Sequence, residues 1–144
     1  MTGLPPSLTA TGPDLTGAPL RIVGVGTDLV EVARFRLAMD RRGDRLTERL
    51  FSDDERAYAN RQRDPSKNLA ARFGAKEAVM KALGVGLWKF KLRDVEVVRQ
   101  RGGAPRVALY GRAVELASER GVVAWHLSLT HTNTMALAVA IAAG

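Results

Sequence analysis

One stretch limits what this chain can become more than any other: residues 66–83 read as a single long helix. Ser66 is its expected cap and Gly84 its stop. Phe73, Glu77 and Lys81 lie four apart along it and share one face. The rest of the chain offers only shorter elements. Ile22 to Val30 is an apolar run suited to a buried strand, followed by a basic helix over 30–42. That helix has a partial apolar face of Val30, Phe35, Leu37 and Ala38, and carries Arg34, Arg36, Arg41 and Arg42.

Ser52-Asp53-Asp54-Glu55 is a capping box that starts another helix, which should end before Pro65. Strands are expected at 94–100 and 105–110, joined by a turn at Gly102-Gly103. A helix over 111–120 stops at Gly121, and two apolar strands, 122–130 and 134–141, turn near Thr132-Asn133. This order predicts an α+β fold with mainly antiparallel pairing. Residues 1–20, rich in Thr, Gly and Pro, read as a flexible leader outside a single domain over 21–144.

Composition narrows the function classes. The chain has 144 residues, a net charge of +7 and no cysteine, which excludes disulfides, thiol nucleophiles and thiolate metal sites. Its longest apolar stretch, Met135 to Ala143, is about half of what a membrane helix needs. No secretory signal pattern is present, so a cytoplasmic enzyme is expected. The positive charge favours nucleic acid, an acidic protein or a phosphorylated cofactor equally. A nucleic-acid module would call for exposed aromatics or a recognisable motif spacing; aromatic residues are 6% and no such spacing exists.

Three places carry polar residues that packing alone would not choose. Asp28 sits inside the first apolar run, where a carboxylate must be paired, hydrogen-bonded, metal-bound or used as a cap for the following helix. Gly24 and Gly26 beside it lack the third glycine of a dinucleotide fingerprint. On the long helix, Arg72, Lys76 and Lys81 surround the single carboxylate Glu77 among small residues, a set suited to several phosphates and one divalent cation. Glu77 with Lys81 is also an ordinary surface pair. In the third place, His126, Ser128 and Thr130 alternate with Leu127 and Leu129, and His131 falls on the opposite face from His126. That offset argues against a shared zinc ion.

These segments together resemble the holo-acyl-carrier-protein synthase family, the small single-domain phosphopantetheinyl transferases. The resemblance rests on Gly24 to Val32 with Arg34, on Phe51-Ser52 with Glu55, on Leu69 to Gly84, and on His126 to His131. It implies a mainly antiparallel sheet packed with one long helix and several shorter ones. It also implies transfer of phosphopantetheine from coenzyme A to a serine of an acidic acyl carrier protein, releasing adenosine 3′,5′-bisphosphate. By resemblance Asp28 and Glu77 match two Mg2+ ligands, and Lys81 matches a lysine that reaches the pyrophosphate. Arg72, Phe73, Gly84, Gly86 and His126 fall at the coenzyme A site. Arg34 and Arg41 lie on the carrier-binding helix, and a homotrimer with sites between subunits is implied. The acceptor could belong to fatty-acid, polyketide or peptide synthesis. Gly74 stands where alanine is commoner, a change worth about 1 kcal/mol of helix stability unless something packs closely there. Val85 replaces a common threonine.

Overall fold

The computed structural model describes residues 21–86, 89–99 and 101–144, so the expected leader over 1–20 lies outside the described residues. Strand β1 (Ile22–Glu31) leads into helix α1 (Val32–Arg42), and two short helices follow, α2 (Asp44–Leu50) and α3 (Asp53–Asn60). The long helix α4 (Pro65–Ala82) comes next, then a single 3-10 turn over Leu92–Asp94 and the hairpin β2 (Val95–Arg99) and β3 (Pro105–Leu109). Helix α5 (Gly111–Glu119) and strands β4 (Ala124–His131) and β5 (Met135–Ala143) complete the chain. The first sheet has the order β1-β5-β4 and the second is β2-β3, all antiparallel.

The expected order of helices and strands holds, with differences that have local causes. Strand β1 runs to Glu31 because its ladder with β5 continues to the Glu31–Met135 pair, and this delays α1 to Val32. Asp64, not Ser66, caps α4. Its side chain accepts the Lys67 N–H, and Pro65 takes the first helical position, where a missing N–H costs nothing. Helix α2 was not anticipated. Its seven residues carry too little periodicity, and it is set off from α1 by Gly43 at φ 60°. The capping box at Ser52 forms with both bonds, Glu55 N–H to Ser52 Oγ and Ser52 N–H to Glu55 Oε1.

Helix α4 lies directly on β1, and glycine makes this possible. A Cβ on Gly24 would stand 1.8 Å from the carbonyl oxygen of Ala82, and one on Gly26 would stand 1.8 Å from that of Ala78. The two glycines therefore serve backbone contact between strand and helix, not a nucleotide. Ala136, Ala138, Ala140 and Ala142 of β5 continue this small-residue surface. Gly74 belongs to it too: a Cβ there would lie 3.3 Å from Val30 Cγ2, so a neighbour does pack closely at that position.

Two apolar clusters flank α4. One joins Val79, Leu83, Val95, Leu109, Leu116 and Trp125, and the other joins Val32, Phe35, Phe51 and Leu69. A buried ion pair links the elements around them. Lys76 Nζ lies 2.7 Å from Glu55 Oε1 and donates to the carbonyls of Leu92 and Val95, which uses all three of its N–H groups. Glu55 Oε2 accepts the Val97 N–H at 3.1 Å. Burial pushes the Lys76 pKa down and the Glu55 carboxylate opposes that shift.

Breaking this pair from one side should be far worse than neutralising it from both. Lys76→Met should cost about 3–5 kcal/mol, because it strands a buried carboxylate. Adding Glu55→Gln should recover part of the loss, since the amide carries no charge and can still accept one bond. Urea unfolding of the two variants checks this, and a Lys76→Met cost below about 1 kcal/mol would refute it.

Candidate active site

Directly opposed residues of an antiparallel ladder share a face. On the α4 side of the first sheet this places Gly24, Gly26, Asp28 and Val30 of β1 next to the alanines of β5. Asp28 is thus aimed at the helix by the same alternation that aims the glycines there. It meets α4 near Gly74: a Cβ on that glycine would stand 3.8 Å from Asp28 Oδ2. The carboxylate does not cap α1, whose N-cap is Glu31 with no side-chain bond. Instead, Asp28 Oδ1 accepts from Lys81 Nζ at 3.1 Å, and the same ammonium donates to the Thr27 carbonyl at 2.9 Å.

Glu77 stands one helical turn before Lys81 and is half-buried. Burial, followed by the like charge of Asp28, raises its carboxyl above the usual range, while Lys81 pulls it back. Asp28, Glu77 and Lys81 therefore form one electrostatic group. Among the described residues no set of three or more His, Cys, Asp or Glu side chains could hold a metal ion. Two carboxylates are nevertheless the donor set that suits magnesium, which keeps waters and takes phosphate oxygens for its remaining positions. The unfavourable meeting of two negative charges, visible in Glu77, is what such a cation would relieve.

Asp28 and Glu77 of this group line a cleft of about 1530 Å³ between β1, α1, α2, α4 and the turn before β2. Phe73 lines it and packs on Phe35, their ring centroids 5.5 Å apart. Six cations border the cleft, namely Arg34, Arg42, Arg49, Lys91, Arg93 and Arg112, against four carboxylates, Asp28, Glu31, Glu77 and Asp94. Arg34 and Arg42 were legible as parts of one basic helix, α1, and only Arg34 as a site residue. The other four come from segments that meet α1 only in the folded chain. Arg41 is exposed on α1, seven residues beyond Arg34, and does not line the cleft.

Other expected residues lie apart from this group. Lys76 is spent on the buried pair with Glu55, so it is not available to phosphate, contrary to expectation. Arg72 is 4% exposed on a different flank of α4. Its guanidinium lies 4.4 Å from the Tyr58 ring centroid, Nη1 donates to Asn68 Oδ1, and Nε has no partner among the described residues. Burial lowers its pKa, and a small cavity of about 250 Å³ beside it also holds Arg61 and Arg99. Gly84 ends α4 with φ 67°, and the bonds Gly84 N–H to Lys81 O and Val85 N–H to Met80 O close the helix. Among the described residues nothing stands within 4 Å of a Cβ built on Gly86. His126 pairs with Ile141, which pairs with Val25, so it lies on the sheet face turned away from α4. Within one chain the sheet separates His126 from Asp28, Glu77 and Lys81.

The α+β fold that brings this carboxylate pair and lysine together has clear counterparts. The chain belongs to the 4′-phosphopantetheinyl transferase superfamily, whose family model matches residues 24–142. Within it, the chain is 46% identical over 116 residues to a holo-[acyl-carrier-protein] synthase of Moorella thermoacetica, covering 81% of this chain and 90% of that one. It is 47% identical over 123 residues to the synthase of Desulforudis audaxviator, covering 85% and 94%. A solved holo-(acyl-carrier-protein) synthase from Bacillus anthracis, in complex with CoA (3′,5′-ADP), superposes with a TM-score of 0.70 at 28% identity, covering 85% of this chain and 97% of that one.

Proposed function

We propose that this protein transfers the 4′-phosphopantetheine of coenzyme A to a serine of an apo acyl carrier protein. The observation that carries the reading is the meeting of Asp28, Glu77 and Lys81, with the two carboxylates lining a large cleft that six cations border. The names of the relatives point the same way. In the reaction the serine oxygen bonds to the β-phosphorus, the bond from that phosphorus to the bridging oxygen breaks, and adenosine 3′,5′-bisphosphate leaves.

Asp28 and Glu77 are the residues that would hold magnesium. That ion, when bound, supplies positive charge where the pyrophosphate becomes more negative. Lys81 adds a second positive charge on the same side and forms no covalent bond. We assign the serine proton to Asp28 or Glu77, directly or through a water that they would orient. Phe73 and the apolar floor around Phe35 exclude water from one flank of the cleft. Arg34 and Arg41 share one side of α1, two turns apart, and suit an acidic carrier helix, which we take to be that of fatty-acid synthesis.

We assign the outer face of the first sheet to contact between copies of this chain, forming a homotrimer. Val25, Leu29 and Leu137 on that face are 54%, 61% and 37% exposed, an unusual amount of apolar side chain to leave in water. His126 lies on the same face. Since the sheet separates it from its own Asp28, His126 can serve a coenzyme A site only across such a contact.

Intact-mass measurement of an apo carrier incubated with this protein, coenzyme A and magnesium tests the reaction. The expected gain is one phosphopantetheine per carrier, prevented by EDTA and absent with Glu77→Gln. A folded protein that yields no gain on any carrier would sink the proposal. Steady-state kinetics of Arg34→Glu should show a carrier KM raised at least about tenfold, with the coenzyme A KM nearly unchanged, since opposing charges at a docking face cost that much. Equal effects on both substrates would remove Arg34 from the carrier surface. Light scattering should give three chains per particle for the wild type and dissociation for Leu29→Lys. A wild-type monomer with full transfer activity would rule out the assembly.

A further inference from the structure

The Asp28 end of the site already holds a cation of its own. The Lys81 side chain is 53% exposed, yet its ammonium is drawn inward, 3.1 Å from Asp28 Oδ1 and 2.9 Å from the Thr27 carbonyl. A long side chain with access to water gives up rotamer freedom to sit there, and exposed ion pairs seldom compensate for that. Asp28 is not an exposed partner, however; its side chain is only 17% accessible. It also faces Glu77, a second carboxylate of the same sign. The ammonium therefore offsets a local excess of negative charge that water reaches poorly.

Taking the site as read above, we propose that Lys81 is a placeholder cation. It occupies Asp28 while no metal is bound and leaves Asp28 for the coenzyme A pyrophosphate as the metal arrives. An ammonium and a divalent ion compete for one carboxylate oxygen, because each repels the other there. The pyrophosphate offers the displaced ammonium a new anion. Lys81 can make this exchange without moving the helix backbone. It lies in the last turn of α4, three residues before the Gly84 stop, with its four-carbon stem half in solvent. Metal binding and coenzyme A binding are thereby linked through one side chain, and the linkage is reciprocal. Lys81 is thus a positioning residue for metal loading, in addition to any contact with phosphate.

Mn2+ binding, followed by loss of the free-ion electron paramagnetic resonance signal, tests this without reading activity. In the absence of coenzyme A, Lys81→Met should bind Mn2+ at least about fivefold more tightly than the wild type, the low end of coupling between linked sites. Lys81→Arg keeps the cation and should stay within about twofold of the wild type. Lys81→Gln serves as a second neutral variant and should behave as Lys81→Met does. Saturating coenzyme A should then tighten Mn2+ by a larger factor in the wild type than in either neutral variant. Equal or weaker Mn2+ binding by both neutral variants overturns the inference, and so does undetectable binding by every form without coenzyme A. A wild type that transfers phosphopantetheine while the neutral variants show no gain in Mn2+ affinity sinks this inference alone. A wild type with no transfer on any carrier sinks the reading on which it rests.

Discussion

Glu55 and Lys76 meet almost wholly out of water, and the elements around the long helix are located by what those two side chains bind. Desolvating two charges costs several kcal/mol each, so the pair persists only because every remaining polar atom finds a partner. Lys76 reaches the carbonyls of Leu92 and Val95, while Glu55 takes the N–H groups of Ser52 and Val97. Helix α3, helix α4, the turn over Leu92–Asp94 and strand β2 are therefore joined at one point. Apolar packing would tolerate some sliding among them. Directional bonds to a buried charge do not.

With α4 so held, its opposite flank is set against β1 at backbone distance. Gly24 and Gly26 permit that approach, and strand alternation then turns Asp28 toward the helix. Glu77 and Lys81, at successive turns of α4, are brought to it. Burial, and after it the like charge of Asp28, raises the pKa of Glu77, and Lys81 is drawn inward to Asp28. The repulsion between the two carboxylates is what a bound cation would relieve.

The same sheet that supports the carboxylates also divides the molecule. Its inner face carries glycine, alanine and Asp28, and its outer face carries Val25, Leu29, Leu137 and His126. A single layer of backbone thus separates Asp28 from the exposed apolar side chains and His126. The cleft on the inner side gathers arginines and lysines from α1, α2, the turn before β2 and the start of α5. Of these, Arg93 is paired with Asp53 and Arg112 with Glu115 and Glu119.

Much of this was legible in the chain order. The long helix, the capping box at Ser52, the two terminal strands and the shared face of Phe73, Glu77 and Lys81 follow from local patterns of spacing and capping, which act within a few residues. The pattern of Asp28 in an apolar run marked it as a carboxylate in need of a partner, and the fold brings it to Glu77 and Lys81. What local pattern could not say was which way each charge would turn. Lys76 and Lys81 look alike in sequence, five residues apart on one helix. One is sealed against Glu55 and the other faces Asp28, because residues five apart point to different flanks and different elements cover those flanks. Arg72 beneath Tyr58, and His126 beyond the sheet, were likewise placed by contacts with distant segments. Spacing along the chain determined which residues share a helical or strand face, and only tertiary packing decided what that face meets.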